Sequence, residues 1–200
     1  EHARDPAIYK APLILIQQSL QDDRLVAAEC STDVAYSRTY FGIPAGDSTK
    51  SHRDLLNAFI NSSLATYCFF MTGTRFGVDK QIAEQNDFAR LPFRSTGSAD
   101  ECRNLSAVLR QLEKQQRPNF DFLDEAVFEF YGLPKWQREY ITDTIEYDLA
   151  FVRHGSKAPS VTPADQDELQ AYADTIVKFI RSNLSPGELS VNADVVTGMS

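Results

Sequence analysis

The chain has 200 residues, of which 42% are hydrophobic, 11% aromatic and 24% charged. This composition supports a buried core and excludes a wholly disordered chain, and no apolar run approaches the roughly 20 residues that span a bilayer. The formal net charge of −8 lies almost entirely in the second half, because residues 1–94 hold 10 Lys and Arg against 11 Asp and Glu, whereas residues 95–200 hold 10 against 17.

The first predicted elements are three strands. Residues 13–16 form a continuous apolar run that is too short for a helix, which predicts a buried strand. Residues 25–30 predict a second strand, paired with the first as a hairpin across the turn Asp22-Asp23. Residues 34–43 are rich in Val, Tyr, Thr and Phe and predict a third strand, which ends at a loop containing Pro44.

A helix is predicted from Ser51 or His52 to about Met71, because its apolar residues recur every three to four positions. Gly73 is the expected end of this helix. After a polar loop over residues 72–80, we expect a short strand at 81–83 and a single helical turn capped by Asn86 or Asp87.

The second half is predicted to be helical beyond a linker at residues 94–98. Ser98 and Glu101 fit a capping box, Gly132 is expected to end the second helix, and Pro134 suits the first turn of a third. A fourth helix is expected to begin at Thr162-Pro163. The apolar faces of these helices are predicted to be buried, including the following aromatic and aliphatic residues: Phe122, Phe130, Trp136, Tyr140, Ile141, Leu149, Val152, Leu169, Tyr172, Ile176 and Ile180.

These patterns predict an α+β fold, in which a small β-sheet unit with a packed amphipathic helix is followed by an acidic helical array. The expected domains are residues 1–95 and 98–185. Residues 186–200, with strand-like sequence at 195–197, are expected to begin a truncated continuation, and the chain is expected to be part of a longer protein.

The sequence has no recognised catalytic motif. It lacks a P-loop, a Gly-x-Gly cofactor turn, an Asn-Pro-Pro-aromatic tetrapeptide and a Gly-x-Ser-x-Gly elbow. Its three histidines do not pair with cysteine at metal-ligand spacing, so no metal site is expected. The carboxylates of Asp124, Glu125, Asp143 and Glu146 are predicted to lie on solvated helix faces.

Cysteine usage favours a reducing cytoplasmic location. Cys30, Cys68 and Cys102 are an odd number at wide spacing, which argues against a disulfide framework. We therefore predict free thiols and a cytoplasmic protein without a membrane partner.

Four segments carry a resemblance to a known family. They are Lys-Ala-Pro-Leu-Ile-Leu-Ile at 10–16, Asp-Leu-Leu-Asn-Ala-Phe-Ile-Asn-Ser at 54–62, the segment from Lys80 to Leu91-Pro92, and the segment 120–133 that ends in Tyr-Gly-Leu. In this order, residues 9–93 resemble the TaqI-like C-terminal specificity domain of N6-adenine DNA methyltransferases and fused restriction–modification enzymes. The chain departs from the family pattern at Ser63, where lysine is usual, and at Phe93, where proline is usual.

The resemblance implies a DNA target-recognition fragment without catalysis or cofactor of its own. Its implied partners are double-stranded DNA and a methyltransferase domain or subunit, and the parent protein would use S-adenosylmethionine. The acidic helical half is expected to face away from DNA, because its charge repels phosphate, and to dock on the methyltransferase.

Six residues are candidate DNA contacts. The loop at 72–81 contains Gly73 and Gly77, which permit a close backbone approach, so its long polar side chains are expected to reach base edges. The other cations are expected to contact phosphates. The candidates are Arg75, Lys80 and Gln81 in the loop, and Arg38, Lys50 and Arg53 elsewhere in the first half.

Two questions stay open on the sequence alone. Tyr36, Tyr40 and Phe41 are expected either to stack on a flipped or unpaired base or to serve as core and cross-strand residues. Asn61 is predicted to bond neighbouring backbone. The whole chain has a second interpretation, a protein-interaction scaffold of a phage-defence complex without DNA contact, which the net charge of −8 favours.

Overall fold

The structure is a computed structural model that describes residues 6–46, 48–73, 82–115, 118–183 and 192. The chain divides into two compact units, Glu1–Ser160 and Val161–Ser200. The division therefore falls at Ser160, whereas the boundary expected from composition, at residues 95–98, lies inside the first unit.

A three-stranded antiparallel sheet opens the first unit, with strands β1 (Leu13–Gln17), β2 (Ala27–Cys30) and β3 (Tyr40–Pro44) in the order β2-β1-β3. The predicted hairpin of the first two strands is confirmed, with Leu13 opposite Cys30 and the turn residues Asp22 and Asp23 at positive φ. The third strand is shorter than predicted. A turn precedes it, in which the Tyr40 amide donates to the Ser37 carbonyl, so the chain becomes extended only from residue 40.

The single helix predicted over 51–71 is two helices, α1 (Lys50–Ile60) and α2 (Ser63–Thr72). Ser62 is extended between them and its hydroxyl accepts from the Ala65 amide, so it starts a new helix. A single turn, α3 (Gln85–Phe88), follows. Its cap is Glu84, in a capping box with Asp87, and not the predicted Asn86 or Asp87.

The helical half follows the predicted order. The helices are α4 (Ala99–Leu112), α5 (Asp121–Tyr131), α6 (Lys135–Asp143), a π-helical segment (Thr144–Leu149), α7 (Ala150–His154) and, in the second unit, α8 (Gln166–Asn183). Short 3-10 turns lie at Pro6–Tyr9, Gly155–Lys157 and Pro159–Val161. The Ser98–Glu101 capping box and the left-handed Gly132 stop are confirmed.

One hydrophobic core runs through both halves of the first unit. Its buried members come from the sheet, the paired helices and the helical half, and include Ile14, Ile16, Phe59, Phe69, Leu105, Leu123 and Leu149. Because α4 packs on α1 and α5 packs on α2, the sheet and the helices share this core and form one packed unit. The fold class is α+β, as predicted.

The prediction that the aromatic stripes are buried is wrong for part of the second half. Trp136 is 66% exposed and Phe122 is 68% exposed, and Tyr140 and Val152 are also exposed. The helix that begins at Lys135 passes through a π-helical segment, which has more residues per turn than an α-helix. The apolar stripe therefore changes phase there, so a count at α-helical spacing that starts in α6 misplaces Val152, which follows the segment. Phe122, Trp136 and Tyr140 precede the segment, and their exposure has no such explanation.

No helix among the described residues has both the length and the apolar character that crossing a membrane requires.

Candidate nucleic-acid interface

An open cleft of about 620 Å³ lies beside strand β3. Its walls hold four aromatic rings, Tyr36, Tyr40, Phe41 and Phe88, with the cation Arg38 among them. Gln18 and Gln85 also line it. A cleft of this kind offers flat rings for stacking, a cation, and amides that both donate and accept hydrogen bonds.

Gly42 in β3 makes room for the aromatic ring of Tyr36 at the wall of the cleft. A Cβ atom on Gly42 would lie 2.7 Å from Cζ of Tyr36, so only glycine lets this ring lie against β3. The Tyr36 hydroxyl donates to the Ile8 carbonyl at 3.3 Å, and the Tyr9 ring meets Tyr36 edge-on at 5.1 Å between centroids. Tyr36 is therefore fixed by contacts on two sides.

The opposite wall comes from α3. The Phe88 ring meets Phe41 edge-on at 5.7 Å between centroids. The chain reaches this position because Ile82 forms a bridge with Ser19, and the Ala83 amide donates to the Gln18 carbonyl at 2.7 Å. The single predicted turn at residues 85–88 thus completes the cleft.

Arg38 is the predicted DNA-contact residue that the structure places in this cleft. It is exposed, and among the described residues its side chain makes no hydrogen bond or ion pair. Its charge is therefore free to meet a ligand in the cleft.

Lys50 and Arg53 lie elsewhere, at the N-terminal end of α1, and both pair with carboxylates. Glu29 accepts from Lys50 Nζ at 2.9 Å and from Arg53 Nε at 2.9 Å. Lys50 also bonds Asp54, and the Arg53 guanidinium bonds the Ser48 carbonyl. Burial opposes the charge on Lys50, but the hydrogen bonds to Asp54 and Glu29 outweigh it and raise the pKa of this ammonium group. The predicted phosphate contacts of Lys50 and Arg53 stay a prediction, against which these pairs compete.

The other three predicted contacts, Arg75, Lys80 and Gln81, lie outside the described residues. Their predicted role in base reading stays a prediction. The structure describes only the start of their loop, where Gly73 ends α2 and its amide donates to the Phe69 carbonyl at 2.7 Å.

Asn61 is structural, as predicted. Its side-chain oxygen accepts from the Ala27 amide at 3.1 Å, and its side-chain nitrogen donates to the Ala27 carbonyl at 2.9 Å. These two bonds imitate a further strand along the free edge of β2. The same nitrogen also donates to the Asn57 carbonyl at 2.9 Å, which fixes the side chain at the end of α1.

The prediction of a solvated face is wrong for Asp124. Its two oxygens accept from the Arg24 guanidinium at 2.8 and 2.7 Å, and one of them also accepts from the Ser63 amide at 2.7 Å. Arg24 additionally donates to the Asn61 carbonyl and lies 4.8 Å from the centre of the Phe120 ring. This pair joins the β2 hairpin to α5 across the start of α2.

Sequence reasoning missed Gln18, Gln85 and Phe88 as members of the cleft. They come from segments far apart in the chain, and the predicted short strand near residue 82 was the one signal that could have brought them together. Among the described residues, no group of three or more His, Cys, Asp and Glu side chains is arranged to hold a metal ion.

Comparison of the chain with protein-family models, with curated proteins and with solved structures gives no match. The resemblance to the specificity domain of adenine methyltransferases therefore rests on the sequence features alone.

Proposed function

We propose that this chain is a DNA target-recognition fragment of a bacterial N6-adenine DNA methyltransferase or a fused restriction–modification enzyme. The observation that carries the proposal is the cleft, because it gathers the predicted DNA contact Arg38 with the aromatic residues Tyr36, Tyr40 and Phe41. The sequence left open whether these rings stack on a base or fill the core. Their position around an open cleft favours stacking.

The chemistry of the cleft suits a nucleobase. Every base has a flat face that stacks on aromatic side chains, and stacking contributes about 1–3 kcal/mol per base. Arginine can donate two hydrogen bonds to one guanine edge, and glutamine can do the same with adenine. Arg38 would supply the first contact, and Gln18 or Gln85 the second.

The catalytic part of the proposed enzyme would be a methyltransferase domain or subunit that binds S-adenosylmethionine. The present chain would contribute the choice of site and no chemistry, which suits a sequence without a catalytic motif. Its partners would be double-stranded DNA and the methyltransferase, in the cytoplasm.

Photochemical cross-linking tests the proposal without needing tight binding. The probe is a pool of short random-sequence duplexes in which bromodeoxyuridine replaces thymidine, and mass spectrometry identifies the linked peptides. We expect cross-links on the peptides that carry Tyr36, Tyr40 or Phe41. We expect Arg38→Ala to lower their yield about fivefold or more, because a base-edge contact contributes about 1–3 kcal/mol.

Arg103→Ala is the matched control. Arg103 is an exposed cation on α4 that pairs with Asp100 and does not line the cleft. Its removal should change the yield less than about twofold, since it alters only the general charge. Equal losses in the two variants, or cross-links that avoid the cleft, would contradict the proposal.

A second function is favoured by exposed aromatic residues on the first unit. The rings of Tyr67 and Tyr140 meet at 6.1 Å between centroids, and Trp136, Tyr140 and Met71 are exposed. Exposed apolar patches mark protein-binding surfaces, as a scaffold without DNA contact would need. If the duplex pool gives no cross-link above that of a protein without DNA affinity, the scaffold becomes the better proposal.

A further inference from the structure

The helix α8 carries a regular apolar seam. Leu169, Ala173, Ile176 and Ile180 follow each other at spacings of four, three and four residues, the repeat of a coiled-coil interface. Tyr172 lies beside this seam and is exposed. Leu169, Ile176 and Ile180 are each 37–38% exposed, so part of their apolar surface is available to a partner.

A helix of this size needs a partner to be stable. It has 18 residues, or a length of about 27 Å at the α-helical rise. Isolated helices of this length are marginal in water, and most helical stability in proteins comes from packing of an apolar face. We therefore expect the apolar seam of α8 to pack against a surface of matching length and spacing.

The charges of α8 select the partner and its direction. Asp167, Glu168 and Asp174 lie in the first half of the helix, and Lys178 and Arg181 lie in the second half. A second copy laid antiparallel brings the acidic half of each helix beside the basic half of the other. A parallel arrangement would instead set like charges side by side along the whole length.

The apolar seam fits the same antiparallel arrangement. With the two-fold axis at the middle of the helix, Leu169 of each copy faces Ile180 of the other, and Ala173 faces Ile176. Small residues then meet large ones, which lets the two helices approach closely. A self-complementary patch of this kind is what a two-fold interface requires.

We propose that α8 is a self-association surface, through which two copies of this chain form an antiparallel helix pair. This inference goes beyond the proposed DNA function and does not depend on it. A dimer of this kind carries two aromatic clefts, one from each copy.

Sedimentation equilibrium of the full chain over a concentration series tests the association. We expect a species of twice the monomer mass. Ile176→Asp places a carboxylate in the seam of both copies and should raise the dissociation constant at least about 100-fold, because two buried isoleucines are lost. The matched control is Ala171→Asp, which adds the same charge on the opposite face and should change the constant less than about threefold.

Disulfide trapping tests the direction. Mixing a Leu169→Cys chain with an Ile180→Cys chain under mild oxidation should give a disulfide between the two, whereas each variant alone should link no more than the unmodified chain, which carries Cys30, Cys68 and Cys102. Circular dichroism of each variant checks that the helices remain.

Three results would overturn the proposal. A chain that stays monomeric at every concentration removes the association. A dimer that Ile176→Asp leaves intact, or that Ala171→Asp weakens equally, removes α8 as its surface. Disulfides formed by Leu169→Cys alone would show a parallel pair and would refute the charge-based orientation.

Discussion

Replacing Asn61, at the junction of α1 and α2, by alanine should destabilise the first unit. The Asn61 side chain bonds the Ala27 amide, the Ala27 carbonyl and the Asn57 carbonyl, at 3.1, 2.9 and 2.9 Å. Asn61 is buried, so water cannot replace these bonds. Each lost bond costs about 1 kcal/mol and sometimes more where a buried group is left without a partner, which gives about 3 kcal/mol in total.

Ser63→Ala is the matched control, two positions away. The Ser63 hydroxyl is buried and, within the described part of the chain, has no hydrogen-bond partner. Removing a buried polar group that has no partner should leave the stability unchanged or raise it by up to about 1 kcal/mol. The two variants thus remove neighbouring polar groups with opposite expected signs.

Urea unfolding followed by circular dichroism measures both changes. With a slope of about 2 kcal/mol per molar urea, Asn61→Ala should lower the midpoint by about 1.5 M, while Ser63→Ala should not lower it. A midpoint for Asn61→Ala within about 0.3 M of the unmodified chain would refute the view that this side chain completes the edge of β2.

Three further predictions concern the first unit. Asp124→Ala leaves the Arg24 guanidinium without its carboxylate at a site where the Arg24 and Asp124 side chains are 18% and 13% exposed. The free energy of unfolding measured in urea should therefore fall by about 2–4 kcal/mol. Asp100→Ala, at an exposed pair, should lower it by less than about 0.5 kcal/mol. Burial raises the pKa of the Tyr131 phenol to about 12 from an ordinary 10. The stability that the neutral phenol contributes is present below pH 10 and should be lost as the pH rises through 12. Ultraviolet difference titration against Tyr131→Phe should show a midpoint near 12, and a midpoint near 10 would contradict this prediction. Gly132 has a φ of 66° with no atom near its absent side chain, so Gly132→Ala should cost about 1 kcal/mol through backbone strain alone, and a cost above about 3 kcal/mol would indicate a steric clash instead.

The elements that sequence predicted best are those with a local chemical cause. The Asp22-Asp23 turn, the Ser98 capping box and the Gly132 stop each depend on a few neighbouring residues, and each is confirmed. The break at Ser62 was missed because the apolar residues on both sides continue one helical stripe. Serine occurs inside helices as well as at their N-caps, so its identity does not show whether Ser62 continues α1 or caps α2. The contact of Asn61 with β2, which ends α1, is a tertiary contact that the local sequence does not reveal.

The cleft could be predicted only in part. Tyr36, Arg38, Tyr40 and Phe41 stand close in sequence, and all four were considered as DNA contacts. Phe88 and the two glutamines join them through the pairing of Ile82 with Ser19, just after β1, a long-range contact for which the predicted short strand at 81–83 names one partner but not the other. The partnership of Arg24 with Asp124 was missed for the same reason, because a carboxylate on a helix face looks identical in sequence whether water or an arginine meets it.

The ion pairs of the first unit limit the number of cations that are available to contact DNA. Because Glu29 already holds Lys50 and Arg53, the described part of the cleft and α1 leaves Arg38 as the cation available to DNA. One arginine and one stacked base together contribute about 2–6 kcal/mol, and the middle of this range corresponds to a dissociation constant of about 1 mM.

A fragment of this kind would add selectivity, while the catalytic domain adds affinity by raising the effective concentration of the cleft at the DNA. The salt dependence separates this arrangement from ordinary electrostatic binding. With Arg38 on a base edge, the described region makes no phosphate contact and adds almost nothing to the slope of log K against log salt concentration, whereas Lys50 and Arg53 on phosphates would add about −1.8. The steeper slope, reduced by Lys50→Ala, would show that the Glu29 pairs open on binding and that α1 takes part in DNA recognition.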